Sequence, residues 1–501
     1  MTTPSRSPRA QQSWNVLFIT SDEHNAKMLG CAGHPIIKTP NLDRLAAQGT
    51  RFTKAYCTQP ICAPTRQTII TGLYSFEHGQ YGNAYVFDRH HPTWAHHFKA
   101  CGYTTACIGK MHTNNEDFHY GYDYRFSKFM ISDEIMRCRQ QKPPEDDPCD
   151  KALFDAVVDH WGKPPRLRAR IAADADLEHD GIMTNESITY LRRYVQWGSR
   201  QPFFLHTSLT QPHWPWVLPR EFYYLYDPAT IDYEPYRPGE LDHNIFALRR
   251  RQAFGWEQNS DEINRLARAR YYGALSWVDH NVGRLLDTLD ELGLAESTLV
   301  IYSTDHGDMA SEKGLWLKSL LFDSAARVPL IMRQPGVIPA GAVNETLIGH
   351  VDYFPTIAGL VGTAGRLPER ISGRDLSACI RSSATAGADS APKAAGPRFT
   401  IAFDGVRRDG SGCSQIMARS QRYKLLRYEV DDPSLRYVLY DMDEDPNETR
   451  NLAYDPVYAA VVREHEAAMD DFFARLKPPL FPVRLARDDP ESDAAIGKAS
   501  A

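Results

Sequence analysis

Apolar runs of six or seven residues recur along the first three hundred positions. Each is followed within a few positions by polar residues suited to chemistry. Residues 15–20 (NVLFIT), 103–108 (YTTACI), 202–207 (PFFLHT) and 298–304 (TLVIYST) are rich in β-branched and aromatic side chains. They are too short for buried helices and read as strands. Between the last two, Leu275, Val278, Val282, Leu285, Leu289 and Leu292 fall at steps of three and four, and Gly293 follows. That spacing predicts a long amphipathic helix with a glycine stop. Strands alternating with helices predict an α/β fold: a large, mostly parallel sheet flanked by helices on both faces.

The pattern changes near residue 381. Residues 381–397 are rich in Ala, Ser, Gly and Pro and read as a surface linker. Beyond them, short strands are predicted over 400–403, 415–418, 423–428 and 437–440, then a helix over 456–476. This predicts a smaller C-terminal antiparallel sheet carrying one helix. The expected organisation is a catalytic α/β unit over 14–380, a C-terminal unit over 398–477 and a tail over 478–501. The last ~10 residues of that tail are expected to be disordered.

Composition narrows the partners. The chain has 501 residues, 42% hydrophobic and 24% charged, as in ordinary globular proteins. A net charge of -6 gives no basic footprint, so nucleic acid is not an expected partner. No apolar run reaches the ~20 residues that span a bilayer, so no membrane partner is expected. Residues 1–13 are polar, carry Arg6 and Arg9, and lack the apolar core of a secretory signal. A cytoplasmic location is therefore expected. The nine cysteines, odd in number, then read as thiols. The sequons at Asn185, Asn344 and Asn447 would carry no glycan.

The candidate chemistry sits where the strands end. Asp22 and Glu23 follow the first strand, Lys110 and His112 the second, His213 the third, and Asp305 and His306 the fourth. Open α/β sheets bind ligands outside the carboxyl ends of their strands, so one shared site is predicted. A further element is Cys62-Ala63-Pro64-Thr65-Arg66, continued by Thr71-Gly72. Pro64 suits a helix's first turn, which puts Cys62 at a helix N-terminus, where anions are favoured. Arg66, one turn on, could offer its fork of donors to a tetrahedral oxyanion. A buried cysteine ahead of a capped helix fits the same five residues equally well.

Cys62-x-Pro64-x-Arg66 followed by Thr71-Gly72 resembles the signature of the sulfatase family, in which the cysteine is oxidised to formylglycine. Asp22, Thr39-Pro40-Asn41-Leu42-Asp43, Gly109-Lys110-Met111-His112, Gln211-Pro212-His213, Asp305-His306-Gly307 and Arg327-Val328-Pro329-Leu330 occur in sulfatase order. So does the stretch from Leu439-Tyr440-Asp441 to Asn451-Leu452, and the likeness spans residues 14–475. It departs at Thr65, where many members have Ser or Ala, at Glu23, often Asp or Gln, and at His306, where several arylsulfatases have Asn. His at that place is familiar in choline-sulfatase-like and phosphonate monoester hydrolase branches.

The resemblance implies an alkaline phosphatase-like fold and one divalent metal held by Asp22, Glu23, Asp305, His306 and the modified Cys62. Carboxylates suit Ca²⁺ or Mg²⁺, and the imidazole tilts the set toward Mn²⁺; the family most often uses Ca²⁺. It implies that Arg66, Lys110 and Lys318 offset charge on the sulfuryl group, that His213 or Lys318 protonates the leaving oxygen, and that His112 serves as base in the second step. Asn83 would contact substrate or cap a turn. Trp214 and Trp216 read as pocket wall or core, and His96 and His97 as solvated or structural rather than metal-ligating. The implied activity is hydrolysis of a small organic sulfate ester, after maturation by a formylglycine-generating enzyme; the tail is compatible with a homo-oligomer. A phosphonate monoester or phosphodiester hydrolase would keep the same site but lack the Lys110-x-His112 pair. A catalytically inactive metal-binding scaffold would be expected to lose Cys62, Arg66 or His213.

Overall fold

The computed structural model describes residues 14–115, 118–127, 169–172, 175, 178–382 and 399–486. The last ten residues, expected to be disordered, lie outside these, as do all but the first two of the linker.

The main sheet has eight strands. Their order across it is Ala342–Asn344, Thr50–Phe52, Leu330–Arg333, Thr298–Thr304, Asn15–Asp22, Phe203–Pro212, Thr104–Gly109 and Tyr124–Phe126. Only Leu330–Arg333 runs against the rest, pairing antiparallel with both neighbours. The sheet is thus mostly parallel, and its central strands are the four that the apolar runs predict. Two of these run further than the runs themselves. The first reaches Asp22 and the third reaches Pro212, because the polar residues there are buried rather than solvated.

Alternation along the first strand divides the core. Val16 and Phe18 point into one cluster with Trp94, Phe98, Phe354 and Ile357. Leu17 and Ile19 point into the other with Val278, Val282, Leu285 and Leu289. Both faces are therefore covered, as parallel sheets require. The helix behind the second cluster, Asp261–Glu291, is longer than the leucine spacing foretells. Ser260 starts it by accepting a hydrogen bond from the Ile263 amide, and Gly293 ends it at φ +67.

The C-terminal sheet is an antiparallel meander in the order Thr400–Val406, Cys413–Arg419, Tyr423–Tyr428 and Tyr437–Asp441. The helix Ala459–Arg475 packs Met469 and Phe472 against its Phe403, Leu425 and Leu439. A buried ionic knot ties this sheet to the short helix Asp323–Ala326, which precedes the strand Leu330–Arg333 of the larger sheet. Lys424, fully buried, lies 2.9 Å from Asp323 and 2.6 Å from Glu448, and the Asp323 amide donates to Glu448 at 2.7 Å.

Candidate active site

The carboxyl ends of the central strands deliver the site. Asp22 closes the first strand, and Asp305 and His306 follow Thr298–Thr304. Lys110 follows Thr104–Gly109, where Gly109 has φ +109 and a Cβ would meet the Ser208 carbonyl at 1.9 Å. His213 follows Phe203–Pro212. Cys62 is the first residue of the helix Cys62–Thr71, whose N-cap, Ile61, has no capping side chain. Asn83 supplies the cap from a distance, its Oδ1 accepting from the Ala63 amide at 3.0 Å. Lys318 stands between Leu317 and Ser319, both at positive φ, and Glu23 and His112 are also at positive φ. Non-glycine residues held in that region store strain, which clusters at functional sites.

Cys62 lies at the centre. Its Sγ is 3.2 Å from His306 Nε2 and 3.7 Å from Asp22 Oδ1. His306 Nε2 is also 3.8 Å from Asp22 Oδ1 and 3.7 Å from Asp305 Oδ1. The other oxygens of these two carboxylates face Arg66, whose Nε is 2.8 Å from Asp305 Oδ2 and whose Nη2 is 3.1 Å from Asp22 Oδ2. Lys110 pairs with Asp22 as well. Lys318 Nζ lies 2.6 Å from Glu23 Oε1, and His213 Nε2 lies 3.6 Å from Glu23 Oε2.

The electrostatics follow from this packing. Burial pushes the Cys62 thiol up, but Lys110, Lys318 and His306 outweigh it, and His112 hydrogen-bonds the sulfur; the thiol sits well below its ordinary value. Burial and the charge of Cys62 push the Asp22 carboxyl up, yet Lys110, His213 and Arg66 hold it well below the usual carboxylate range. Burial takes Glu23 up to about 8, against the pull of Lys318. Burial pulls His306 down, and Asp305 and Cys62 lift it to about 9. Burial lowers His213 to about 4.

These residues fit a divalent cation. Asp22, Cys62, Asp305 and His306 each offer one ligand atom within 4.8 Å of the others, as do Asp22, Glu23 and His213. Both Glu23 oxygens are buried; Lys318 Nζ pairs with one at 2.6 Å, and the other, 3.6 Å from His213 Nε2, accepts no hydrogen bond. A buried carboxylate with free lone pairs is costly unless it binds something.

The arrangement corrects one expectation. Arg66 does not present its fork to an oxyanion, because all its N–H groups are engaged. Nε holds Asp305, Nη1 bonds the Lys110 carbonyl and Ser208 Oγ, and Nη2 bonds Asp22 and the Ser21 carbonyl. Its work is to hold the two carboxylates. His97 bonds the Arg366 carbonyl and Thr363 and is structural. Trp216 is core, while Trp214 stacks on His213 with ring centroids 5.8 Å apart.

Three participants escape the sequence reading. Ser208 anchors Arg66, buried Asp308 raises Glu23, and His350 meets Thr65 Oγ1 at 2.8 Å. Asp308, three residues past Asp305, was open to discovery as a further carboxylate in the same loop. Ser208 and His350 carry no local signal.

A doubly covered α/β sheet that gathers buried carboxylates and an imidazole at its strand ends, around a cysteine at a helix N-terminus, defines an α/β enzyme with a cluster of residues able to hold a metal ion. The Sulfatase family model matches residues 14–363, and a second model, described as N-sulphoglucosamine sulphohydrolase, C-terminal, matches 311–474. The chain belongs to the sulfatase family, hydrolases of the alkaline phosphatase superfamily. It is 29% identical over 465 residues to a choline-sulfatase of Rhizobium meliloti (strain 1021), covering 88% of this chain and 83% of the relative. It is 27% identical over 500 residues to the multifunctional alkaline phosphatase superfamily protein PehA of Trinickia caryophylli, covering 90% and 93%. The phosphonate monoester hydrolase SpPMH of Silicibacter pomeroyi superposes with a TM-score of 0.71 at 23% identity, over 93% of this chain and 96% of that one. Among the described residues no helix is long and apolar enough to cross a membrane.

Proposed function

We propose that this chain hydrolyses a small organic sulfate ester, with Cys62 converted to formylglycine by a maturation enzyme and one divalent cation held by Asp22, Glu23, Asp305 and His306. The observation that carries the reading is the position of Cys62. Its Sγ is 3.2 Å from His306 and 3.7 Å from Asp22, among Lys110, Lys318, His112 and His213. The cation, Ca²⁺ foremost and Mn²⁺ or Mg²⁺ otherwise, supplies positive charge that favours an oxygen nucleophile at neutral pH.

The chain's own residues do the rest. Arg66 fixes Asp22 and Asp305. Lys110 and Lys318 offset the charge of the sulfuryl oxygens. His213, with Lys318 beside it, serves the leaving oxygen. His112 takes a proton from the second hydroxyl of the hydrated aldehyde, which expels sulfate and restores the carbonyl. Asn83 combines its helix-capping bond with a place at the substrate.

The test is a comparison of turnover on p-nitrophenyl sulfate, a phenyl phosphonate monoester and a phosphodiester, with mass analysis of the peptide containing Cys62. Thiol-to-aldehyde conversion and highest kcat/KM on the sulfate ester are expected. Full activity with an unmodified thiol would sink the formylglycine mechanism. Higher efficiency on the phosphonate would favour the second reading, a phosphonate monoester or phosphodiester hydrolase, to which the likeness to the multifunctional protein PehA points and between which and a sulfatase His306 does not decide.

A further inference from the structure

We propose that, while Cys62 keeps its thiol, Asp22, Cys62, Asp305 and His306 form a tetrahedral zinc site. The donors are one thiolate, one imidazole and two carboxylates, all contributing to a single cluster with ligand atoms within 4.8 Å of one another. Thiolate and imidazole are the donors that select zinc, whereas calcium takes oxygen.

The spacing agrees. A tetrahedron with zinc–ligand bonds of about 2.0–2.3 Å has edges of about 3.3–3.8 Å. Four of the six edges are 3.2, 3.7, 3.8 and 3.7 Å, and the other two lie within 4.8 Å. The donors are also aimed. His306 Nδ1 lies 3.0 Å from the Gly307 carbonyl, which makes it the protonated nitrogen and turns the Nε2 lone pair toward Cys62. Arg66 holds Oδ2 of both Asp22 and Asp305; Asp22 Oδ1 faces the sulfur and the imidazole, and Asp305 Oδ1, which also accepts from the Glu23 and His306 amides, faces the imidazole. All four residues are buried, so the site is ordered by the fold rather than by the ion. The ion takes the place of the proton that lies between the sulfur and the imidazole Nε2, 3.2 Å apart, and that proton goes to solvent.

Oxidation at position 62 exchanges the sulfur for oxygen donors and removes the reason for the zinc preference. That last step rests on the formylglycine reading; the zinc site does not. The unmodified chain is therefore a zinc binder, and the mature enzyme prefers a harder cation.

The experiment uses the full chain made without a maturation enzyme, with mass analysis confirming the thiol at Cys62. Co²⁺ is the probe, since tetrahedral thiolate-bound cobalt gives a sulfur-to-metal charge-transfer absorption in the near ultraviolet and strong visible bands. A single equivalent of Co²⁺ is expected to give both, Zn²⁺ to bleach them at equal concentration, and Ca²⁺ in large excess to leave them. Cys62→Ser should lose the charge-transfer band while keeping its far-ultraviolet dichroism, and His306→Asn should weaken Co²⁺ binding at least tenfold. Absence of the band, its survival in Cys62→Ser, or displacement of Co²⁺ by equimolar Ca²⁺ would overturn the proposal. Zinc bound through Cys62 in a chain that is never converted upholds the zinc site and removes the sulfatase mechanism. A converted, active enzyme whose precursor ignores zinc does the reverse.

Discussion

Arg66 shows how much of this site is held by charge. It bridges Asp22 and Asp305 through separate nitrogens, a geometry that a lysine's single point charge does not reproduce. Arg66→Lys is expected to lower metal affinity by about 10–100-fold, the usual cost of losing a group that orients ligands. Calorimetric Ca²⁺ titration checks it, and unchanged affinity would contradict the holding role. His112 and His213 separate by step. His112→Ala should let a sulfated enzyme accumulate, visible by mass spectrometry after one turnover. His213→Ala should slow the first step by ~10²–10⁴, most for poor leaving groups. At this scale the sequence was generous where chemistry falls at a strand end. Asp22, Asp305 and His306 announce themselves by following apolar runs. It was silent where a side chain reaches in from elsewhere in the fold: His350 meets Thr65 across 285 positions, and nothing local marks it.

Among the elements, the long central strands were legible and the short flanking ones were not. Thr50–Phe52, Tyr124–Phe126 and Ala342–Asn344 have three residues each, too few for a period, and exist because a neighbouring edge receives them. The backbone around Lys318 was illegible for another reason. Leu317 and Ser319 have no intrinsic taste for positive φ; they are held there from outside. The Ser319 amide donates to the Pro60 carbonyl at 3.0 Å, and Gln415 donates to the Ser319 carbonyl at 3.0 Å. The C-terminal sheet thus touches the loop that carries Lys318, and the Lys424 knot keeps it there. Breaking a buried ion pair from one side leaves an uncompensated charge at a cost of about 3–5 kcal/mol. Lys424→Ala is expected to lower the urea midpoint accordingly, and Lys424→Met to recover part of the loss by filling the space. A midpoint unchanged in Lys424→Ala would show that the knot is dispensable.

Across the whole molecule, buried histidines set the response to acid. Burial takes His78 and His206 down to about 3 and His24 to about 4, from an ordinary value near 6.5. Their folded values lie below their unfolded ones, so the unfolded chain binds more protons between the two. The stability they contribute is complete above about pH 6.5 and is lost as pH falls toward 3. Urea midpoints measured from pH 8 to pH 4 should decline below 6.5, and His206→Gln should decline less steeply. A profile flat to pH 4 would mean these rings accept protons in the folded state. The order of the strands has a consequence in time. The first strand to be synthesised, Asn15–Asp22, occupies the middle of the sheet, and its two neighbours are Phe203–Pro212 and Thr298–Thr304. Glu23 and Asp305, which meet in the finished site, are 282 positions apart along the chain. At the ~5–20 residues per second of translation, the nascent strand waits roughly 15–55 s for its second neighbour to leave the ribosome. Until Phe203–Pro212 emerges both edges of its most apolar segment, Val16 to Ile19, are bare, one stays bare until Thr298–Thr304 follows, and the chain's safest passage depends on what shelters them.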